Sequence, residues 1–250
     1  KMSMEFGGLK SGEYFVRMWT KGQSSWALTN KGNMFCTGEN SNGQLGLGDT
    51  VDRYQWVKNP YFGPDATNNS VTCEIACIVP NWYGGYQFST NIRVFVILHD
   101  GRVMAFGHNA QGQLGDGTTN ARSVPTVITG ISNVKMISAG LYCTWVVDGS
   151  GNLFHCGSDT NGVGGGSSRT AFAQLTGVSN VEQAELHCTG YYNSAVAAQG
   201  YVIQANGDTF GIGYNGNGNL GIGNTTNQSA FVQIGGSENF SAVQVTGNAT

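Results

Sequence analysis

GHNAQGQLGDGTT, residues 107–119, is one of four versions of a single stretch. Residues 38–50 read GENSNGQLGLGDT and residues 213–226 read GYNGNGNLGIGNTT. A worn copy, GSDTNGVGGGSS, occupies residues 157–168. Each follows a short apolar run opened by glycine: GNMFCTG from Gly32, GRVMAFG from Gly101, GNLFHCG from Gly151 and GDTFGIG from Gly207. A strand and a glycine loop repeated in fixed order mark a repeat protein.

Upstream of each loop the pattern extends. The first unit runs VRMWTKGQSSWALTNKG from Val16 and the third VKMISAGLYCTWVVDGSG from Val134, with Gly22 and Gly140 at the same offset. Apolar runs follow at Trp26–Leu28 and Trp145–Val147. Turns then come at Asn30-Lys31-Gly32, Asp100-Gly101, Asp148-Gly149 and Asn206-Gly207. Asn-Gly and Asp-Gly pairs tolerate positive φ and read as hairpin turns. A last short strand follows each loop, at Tyr54–Val57, Pro125–Ile128, Ala173–Leu175 and Phe231–Ile234. Four strands per unit make one blade of a β-propeller. The expectation is an all-β chain, residues 1–250 forming one propeller domain or a fragment of one. Its units are 16–60, 71–130, 134–177 and 181–236, and residues 240–250 begin a further blade. The reading favours a piece of a larger ring over a small ring closed by its own ends, because an open arc leaves strand edges bare.

Composition agrees. Only 11% of the 250 residues are charged, against about 25% in an average soluble domain, while glycine numbers 39 and proline 4. Many short strands joined by tight turns fit these values, and the aromatic content argues against disorder. The net charge of −3 and the lack of a basic cluster argue against a nucleic-acid partner. No run of 18 apolar residues is present, so no helical membrane span is expected. The N-terminal stretch KMSMEFGGLKSGEYF lacks the apolar centre of a signal peptide.

The loop pattern G-x-N-x-x-G-Q-L-G-x-G resembles that of the regulator of chromosome condensation repeat family. It is carried by Gly38, Asn40, Gln44, Leu45 and Gly46, by Gly107, Asn109, Gln113, Leu114 and Gly115, and by Gly213, Asn215, Leu220 and Gly221. The resemblance extends over residues 16–250 and implies a propeller, seven-bladed in that family. Where the family has Trp before the loop glycine, this chain has Thr37, Phe106, Cys156 and Ile212. The family's His-Ser after the blade glycine is replaced by Ser24-Ser25 and Tyr142-Cys143. The resemblance also implies one activity found in the family, guanine-nucleotide exchange on a small GTPase. The residues such an exchange factor needs do not map onto this sequence.

The units differ in one connection. From the opening Val to the hairpin Gly, the first and third units span 16 and 15 residues, but the second spans 30 and the fourth 26. The second unit's insertion carries Trp82, Tyr83, Tyr86 and Phe88, and the fourth unit's carries Tyr191 and Tyr192. Equivalent connections of a propeller emerge on one face. Aromatic rings set among Gly and Asn bury large areas at low entropic cost, so these six residues are the expected binding site for a protein or glycan partner. The competing reading is that the rings fold back over the blades.

No catalytic, metal or cofactor site is expected, and the chain is read as non-enzymatic. Gly-x-Gly-x-x-Gly lookalikes abound in the loops, but a dinucleotide site needs a helix after the loop, and none is indicated. His99, His108, His155 and His187 lack a partner at metal-ligand spacing and read as satisfied structural histidines. Asp49 and Asp116 follow repeat glycines, which fits turn capping. Cys36, Cys143 and Cys156 lie in strand-like runs and read as buried thiols. Cys73 and Cys77 have no second pair at zinc spacing, and with Cys188 also read as structural thiols. Asn68, Asn224, Asn227, Asn239 and Asn248 open Asn-x-Ser/Thr triplets of the kind an Asn- and Thr-rich chain produces by chance.

Three functions of different class fit a propeller. The favoured one is a structural or recognition module on a bacteriophage virion or an extracellular surface, engaging its host or partner through one loop face, alone or as a homo-oligomer or larger assembly. The alternatives are an exchange factor-like regulator in the cytoplasm and a protein inhibitor of an enzyme.

Overall fold

The computed structural model describes residues 9–64, 73–79, 82–83, 86–87, 92–98, 100–190 and 196–235. Their regular structure is β-strand apart from one short 3-10 turn, Thr160–Gly162. The first blade consists of β1 (Phe15–Lys21), β2 (Ser24–Thr29), β3 (Met34–Gly38) and β4 (Arg53–Lys58). The second is β5 (Cys73–Val79), followed by β6 (Trp82–Tyr83) and β7 (Tyr86–Gln87), which leave its sheet, and then β8 (Arg93–Leu98), β9 (Val103–Gly107) and β10 (Arg122–Val127). The third is β11 (Val134–Ala139), β12 (Cys143–Asp148), β13 (Leu153–Gly157) and β14 (Arg169–Gln174). The fourth is β15 (Val181–Gly190), β16 (Val196–Gln204), β17 (Thr209–Gly213) and β18 (Gln228–Gln233). Within each blade the four strands pair antiparallel in chain order.

Residue choice follows position in the blade. The inner strands are packed on both faces and therefore read as continuous apolar runs: β9 is buried at every position, and β12 at all but Asp148. The outer strands β4, β14 and β18 keep exposed positions and carry Arg, Gln, Ser and Thr. The hairpins between inner strands close on the expected glycines Gly32, Gly101 and Gly207, each at positive φ. In the third blade the closing residue is Gly151, φ 77°, rather than the expected Gly149. Gly151 donates to the Asp148 carbonyl, matching the Gly32 to Thr29 bond of the first blade. The run Asp148-Gly149-Ser150-Gly151 offers two glycines, and the second takes the strained position. The last strands also start one to four residues earlier than expected, because Arg53, Arg122, Arg169 and Gln228 still pair with Gly38, Gly107, Gly157 and Gly213.

The chain divides into two compact units. The first holds the first blade and β5, β8, β9 and β10. Its core joins Trp26, Met34, Cys36 and Leu45 to Phe62, Val94, Val96 and Phe106. The second holds the third and fourth blades, β6 and the loop over residues 109–120. Its core joins Trp145, Val147, Leu153 and Val163 to Val181, Ala198, Val202 and Ile212. In each unit, therefore, apolar side chains of two successive blades interdigitate, as repeat stacking requires. The expected start of a further blade at residues 240–250 lies outside the described residues.

Candidate interaction site

The repeat signature is a set of hydrogen bonds that hold the loop shut. In three loops an asparagine of zero exposure bridges both limbs: Asn40, Asn109 and Asn215. Its Oδ1 accepts from the N–H of Leu45, Leu114 or Leu220, each at 2.9 Å. Its Nδ2 donates across the loop to the carbonyls of Asp49, of Thr118 and Asn120, or of Asn224 and Thr226. The leucine held by that bond is itself buried. Gln44 and Gln113, also fully buried, accept from the N–H of Asn42 and Gln111 at 2.9 and 2.7 Å. Buried polar groups so paired fix one loop shape.

The strand-end glycines have a steric reason. Gly38, Gly107, Gly157 and Gly213 all have φ of 94–105°. A Cβ on any of them would overlap a carbonyl oxygen, that of Gln23, Ile92, Tyr142 or Ala198.

The same loops join blades. A Cβ on Gly43 would strike Ser123 of the next blade's outer strand; one on Gly112 would strike Thr170, and one on Gly162 Ser229. The Gly48 N–H donates to the Ser123 carbonyl and Gly117 to that of Thr170, both at 2.8 Å. The Gln113 carbonyl accepts from the Thr144 hydroxyl at 2.8 Å and the Cys156 thiol at 3.5 Å.

The worn third loop substitutes Asp159 for the asparagine. Its Oδ1 still accepts from the N–H of Gly164, at the leucine's position. A carboxylate cannot donate, and here Arg169 donates to the carbonyls of Gly164 and Ser167 and reaches His155 Nδ1 at 3.5 Å. His155 is fully buried, and burial, with the Arg169 charge beside it, drops its pKa to about 4. Its Nε2 has no hydrogen-bond partner among the described residues, which departs from the expectation of a satisfied ring.

The insertions bring the second and fourth blades' chain together. β15 and β16, at 10 and 9 residues, are longer than the other blade strands, which have five to seven. β6 adds to the edge of β15 in parallel, with Tyr83 opposite Gly190, so that this sheet has six strands ending in β7. Of the six expected contact residues, Trp82 and Tyr83 thus lie on β6 and Tyr86 on β7. Phe88, Tyr191 and Tyr192 lie outside the described residues. Residue spacing indicated the two insertions but not this strand pairing.

The chemistry around these features is quiet. No group of three metal-ligating side chains occurs among the described residues. Burial pushes the Cys36 thiol up to about 12, so it stays protonated, and Cys143 and Cys156 are likewise buried free thiols. Cys73, Cys77 and Cys188 lie on β5 and β15. The Asp49 carboxyl is held below its ordinary value by its hydrogen bond to Arg53 and by the Val51 N–H, as a turn cap would be. His108 falls to about 4 through burial and the Arg93 charge, and burial also lowers His187. His99 lies outside the described residues.

Residues 100–147 match the family model described as the regulator of chromosome condensation (RCC1) repeat. Two curated relatives come from Arabidopsis thaliana. The mitochondrial RCC1 domain-containing protein RUG3 is 30% identical over 135 residues, 53% of this chain and 26% of that one. The ultraviolet-B receptor UVR8 is 27% identical over 225 residues, 88% of this chain and 46% of that one. The structure of Prp20p from Saccharomyces cerevisiae, described with its binding to Gsp1p and histones, superposes with a TM-score of 0.63 at 16% identity, covering 92% of this chain and 52% of Prp20p. The chain therefore spans about a quarter to a half of the length of these proteins. Its strands fold as β-propeller blades, and the matched residues 100–147 are similar to an RCC1 repeat.

Proposed function

We propose that the chain is a non-catalytic protein-binding propeller module whose contact surface is formed by the insertions of the second and fourth blades. The observation that carries this reading is the parallel pairing of β6 with β15 at Tyr83 and Gly190. It gathers chain from two blades into one six-stranded sheet outside the repeat pattern, with Trp82, Tyr83 and Tyr86 on its added strands. Variable loops on a rigid scaffold are where recognition concentrates, and aromatic residues dominate interface energetics. A protein partner is favoured over a glycan by Prp20p, which shares the fold and is described with protein ligands. Attachment at a virion or extracellular surface is one setting for this module; regulation of a GTPase is another, and the contact surface is the same in both.

The test replaces Trp82, Tyr83, Tyr86, Tyr191 and Tyr192 by Ala and compares the partners captured from the native source with those of the parent chain, alongside a glycan array. The proposal predicts loss of at least about tenfold in capture, equal to about 1.4 kcal/mol, at unchanged melting temperature. Undiminished protein capture by the variant would contradict the assignment, and glycan binding lost in the variant would replace the partner class.

A further inference from the structure

The third loop is closed against a buried titratable ring. Where the first, second and fourth blades place Cys36, Ala105 and Gly211, β13 places His155, which has zero exposure. In the first blade the Cys36 thiol donates to the Leu45 carbonyl. In the third blade the equivalent carbonyl, that of Gly164, takes its bond from the Arg169 guanidinium at 2.5 Å, and the same nitrogen donates to the Ser167 carbonyl at 3.0 Å. That nitrogen also lies 3.5 Å from His155 Nδ1. A Cβ on Gly164 would come within 2.8 Å of both His155 Nδ1 and Asp159 Oδ1, so the ring and the carboxylate meet on the loop's own backbone.

This arrangement admits only the neutral ring. Arg169 can donate only to an unprotonated Nδ1, which leaves the proton on Nε2, where no acceptor is found among the described residues. A proton on Nδ1 would set one donor against another and one positive charge against another at 3.5 Å. The charged groups beside the ring are Arg169 of β14 and Asp159 of the loop, whose Oδ1 already accepts from the Gly164 N–H. The other titratable groups on the strands around it are engaged elsewhere. The Cys156 thiol bonds the Gln113 carbonyl, Asp148 the N–H groups of Ser150 and Asn152, and Tyr201 the Asn219 carbonyl, while Cys143 is a buried thiol.

The loop supported in this way is the seat of the fourth blade. Its Asn161 Oδ1 accepts from the Ala198 N–H of β16 at 2.9 Å. A Cβ on Gly162 would strike Ser229 of β18, and Val163 joins the core with Ala198 and Ile212. We propose that the third loop is an acid-operated latch on the fourth blade: protonation of His155 drives Arg169 off the Gly164 and Ser167 carbonyls and opens the loop, releasing its hold on β16 and β18 while the first loop stays shut. Burial first, and then the Arg169 charge, hold the folded ring's pKa at about 4 against an ordinary 6.5, outweighing the Ser158 backbone, which acts the other way. The neutral ring's support is therefore complete above pH 6.5 and is lost as pH falls through 4. Opening is favoured about 100-fold more at pH 4 than at pH 7.

Hydrogen exchange at single amides, read by NMR from pH 7 to pH 4 and corrected for the intrinsic rate at each pH, tests the latch in the parent chain, His155→Cys and His155→Ala. The reporters are the Gly164 N–H, held by Asp159, and the Ala198 N–H, held by Asn161. The control is the Leu45 N–H, held by Asn40 in a loop without histidine. Loop amides exchange through openings of their own loop. The two variants give the third blade the residue of the first or second, and neither residue can take up the proton. In the parent, protection at Gly164 and Ala198 should fall about 100-fold between pH 7 and pH 4, return at pH 7, and fall by less than about tenfold at Leu45. In either variant the fall at Gly164 and Ala198 should also stay below about tenfold. Protection at Gly164 and Ala198 that persists in the parent at pH 4 would overturn the proposal. So would an equal fall at Leu45, which would mean general acid destabilisation, or an undiminished fall in a variant, which would assign the effect to Asp159 or another group. If neither variant folds, the parent's contrast between the third loop and Leu45 decides alone.

Discussion

The loops at residues 107–119 and 213–226 share their asparagine, leucine and repeat glycines and the same internal hydrogen bonding, but among the described residues only the first is docked. Asn109 and Asn215 both accept a leucine N–H at 2.9 Å and both donate across the loop. Gly115 lies against Phe172 and Cys156, whereas a Cβ added at Gly221 would have none of the described residues within 4 Å. The comparison separates two roles inside one motif. The asparagine shapes the loop by itself; the glycines serve its seat on the next blade.

Substituting the glycines should give the largest split. Gly115→Ala forces a Cβ into the Phe172 ring at a φ of 75°. Strain and overpacking together should destabilise by about 4 kcal/mol. Gly221→Ala meets only the strain of a φ of 67° and should lose about 1 kcal/mol. Urea denaturation midpoints in dilute solution measure both, and equal losses would remove the distinction between docked and bare loops.

The asparagines should behave alike. Asn109→Ala strands the Leu114 N–H and two carbonyls, and Asn215→Ala the Leu220 N–H and two carbonyls. Each should lose about 3 kcal/mol, and the two values should agree within about 1 kcal/mol. A much smaller loss at Asn215 would mean that docking, rather than the loop's own bonds, sets its shape.

A smaller effect distinguishes the worn third loop. His155 stands where the first, second and fourth blades have Cys36, Ala105 and Gly211. Its folded pKa of about 4 lies below the ordinary 6.5, because burial favours the neutral ring. Its contribution is therefore fully present above pH 6.5 and is lost as pH falls toward 4. At about 1.4 kcal/mol per unit the loss reaches about 2–3 kcal/mol. Denaturation of the parent and His155→Ala between pH 7 and pH 4 should show a flatter profile for the variant. His108, lowered in the same direction, contributes to the slope that remains.

Much of this architecture was readable because its signals are local. The hairpin glycines and the loop motif each lie within a short stretch, the four strand-like runs recur in fixed order around them, and short turns are dictated by a few φ-tolerant positions. The third hairpin was misplaced to Gly149 because two glycines two residues apart satisfy the same pattern, and only the bond from Gly151 to Asp148 separates them. The pairing of β6 with β15 was not readable. It joins Tyr83 to Gly190, a long-range contact that no periodicity marks. Nor could the worn loop reveal that Arg169 takes over donor duty near Asp159, since that depends on where the next strand places its guanidinium. The aromatic insertions were visible as departures in length, and a departure in length names a candidate surface without naming its partner.

Amide hydrogen exchange tests the division of labour most directly, because each loop carries its own control. Gly112 and Gly218 donate within their loops to Asn109 and Asn215 at 2.9 and 2.8 Å, whatever the loop is docked against. Gly117 donates to Thr170 of the next blade at 2.8 Å, while its counterpart Gly223 has no such bond among the described residues. In dilute solution the account predicts similar protection at Gly112 and Gly218, strong protection at Gly117, and exchange at Gly223 close to that of an unstructured chain. Equal protection at Gly117 and Gly223 would contradict it.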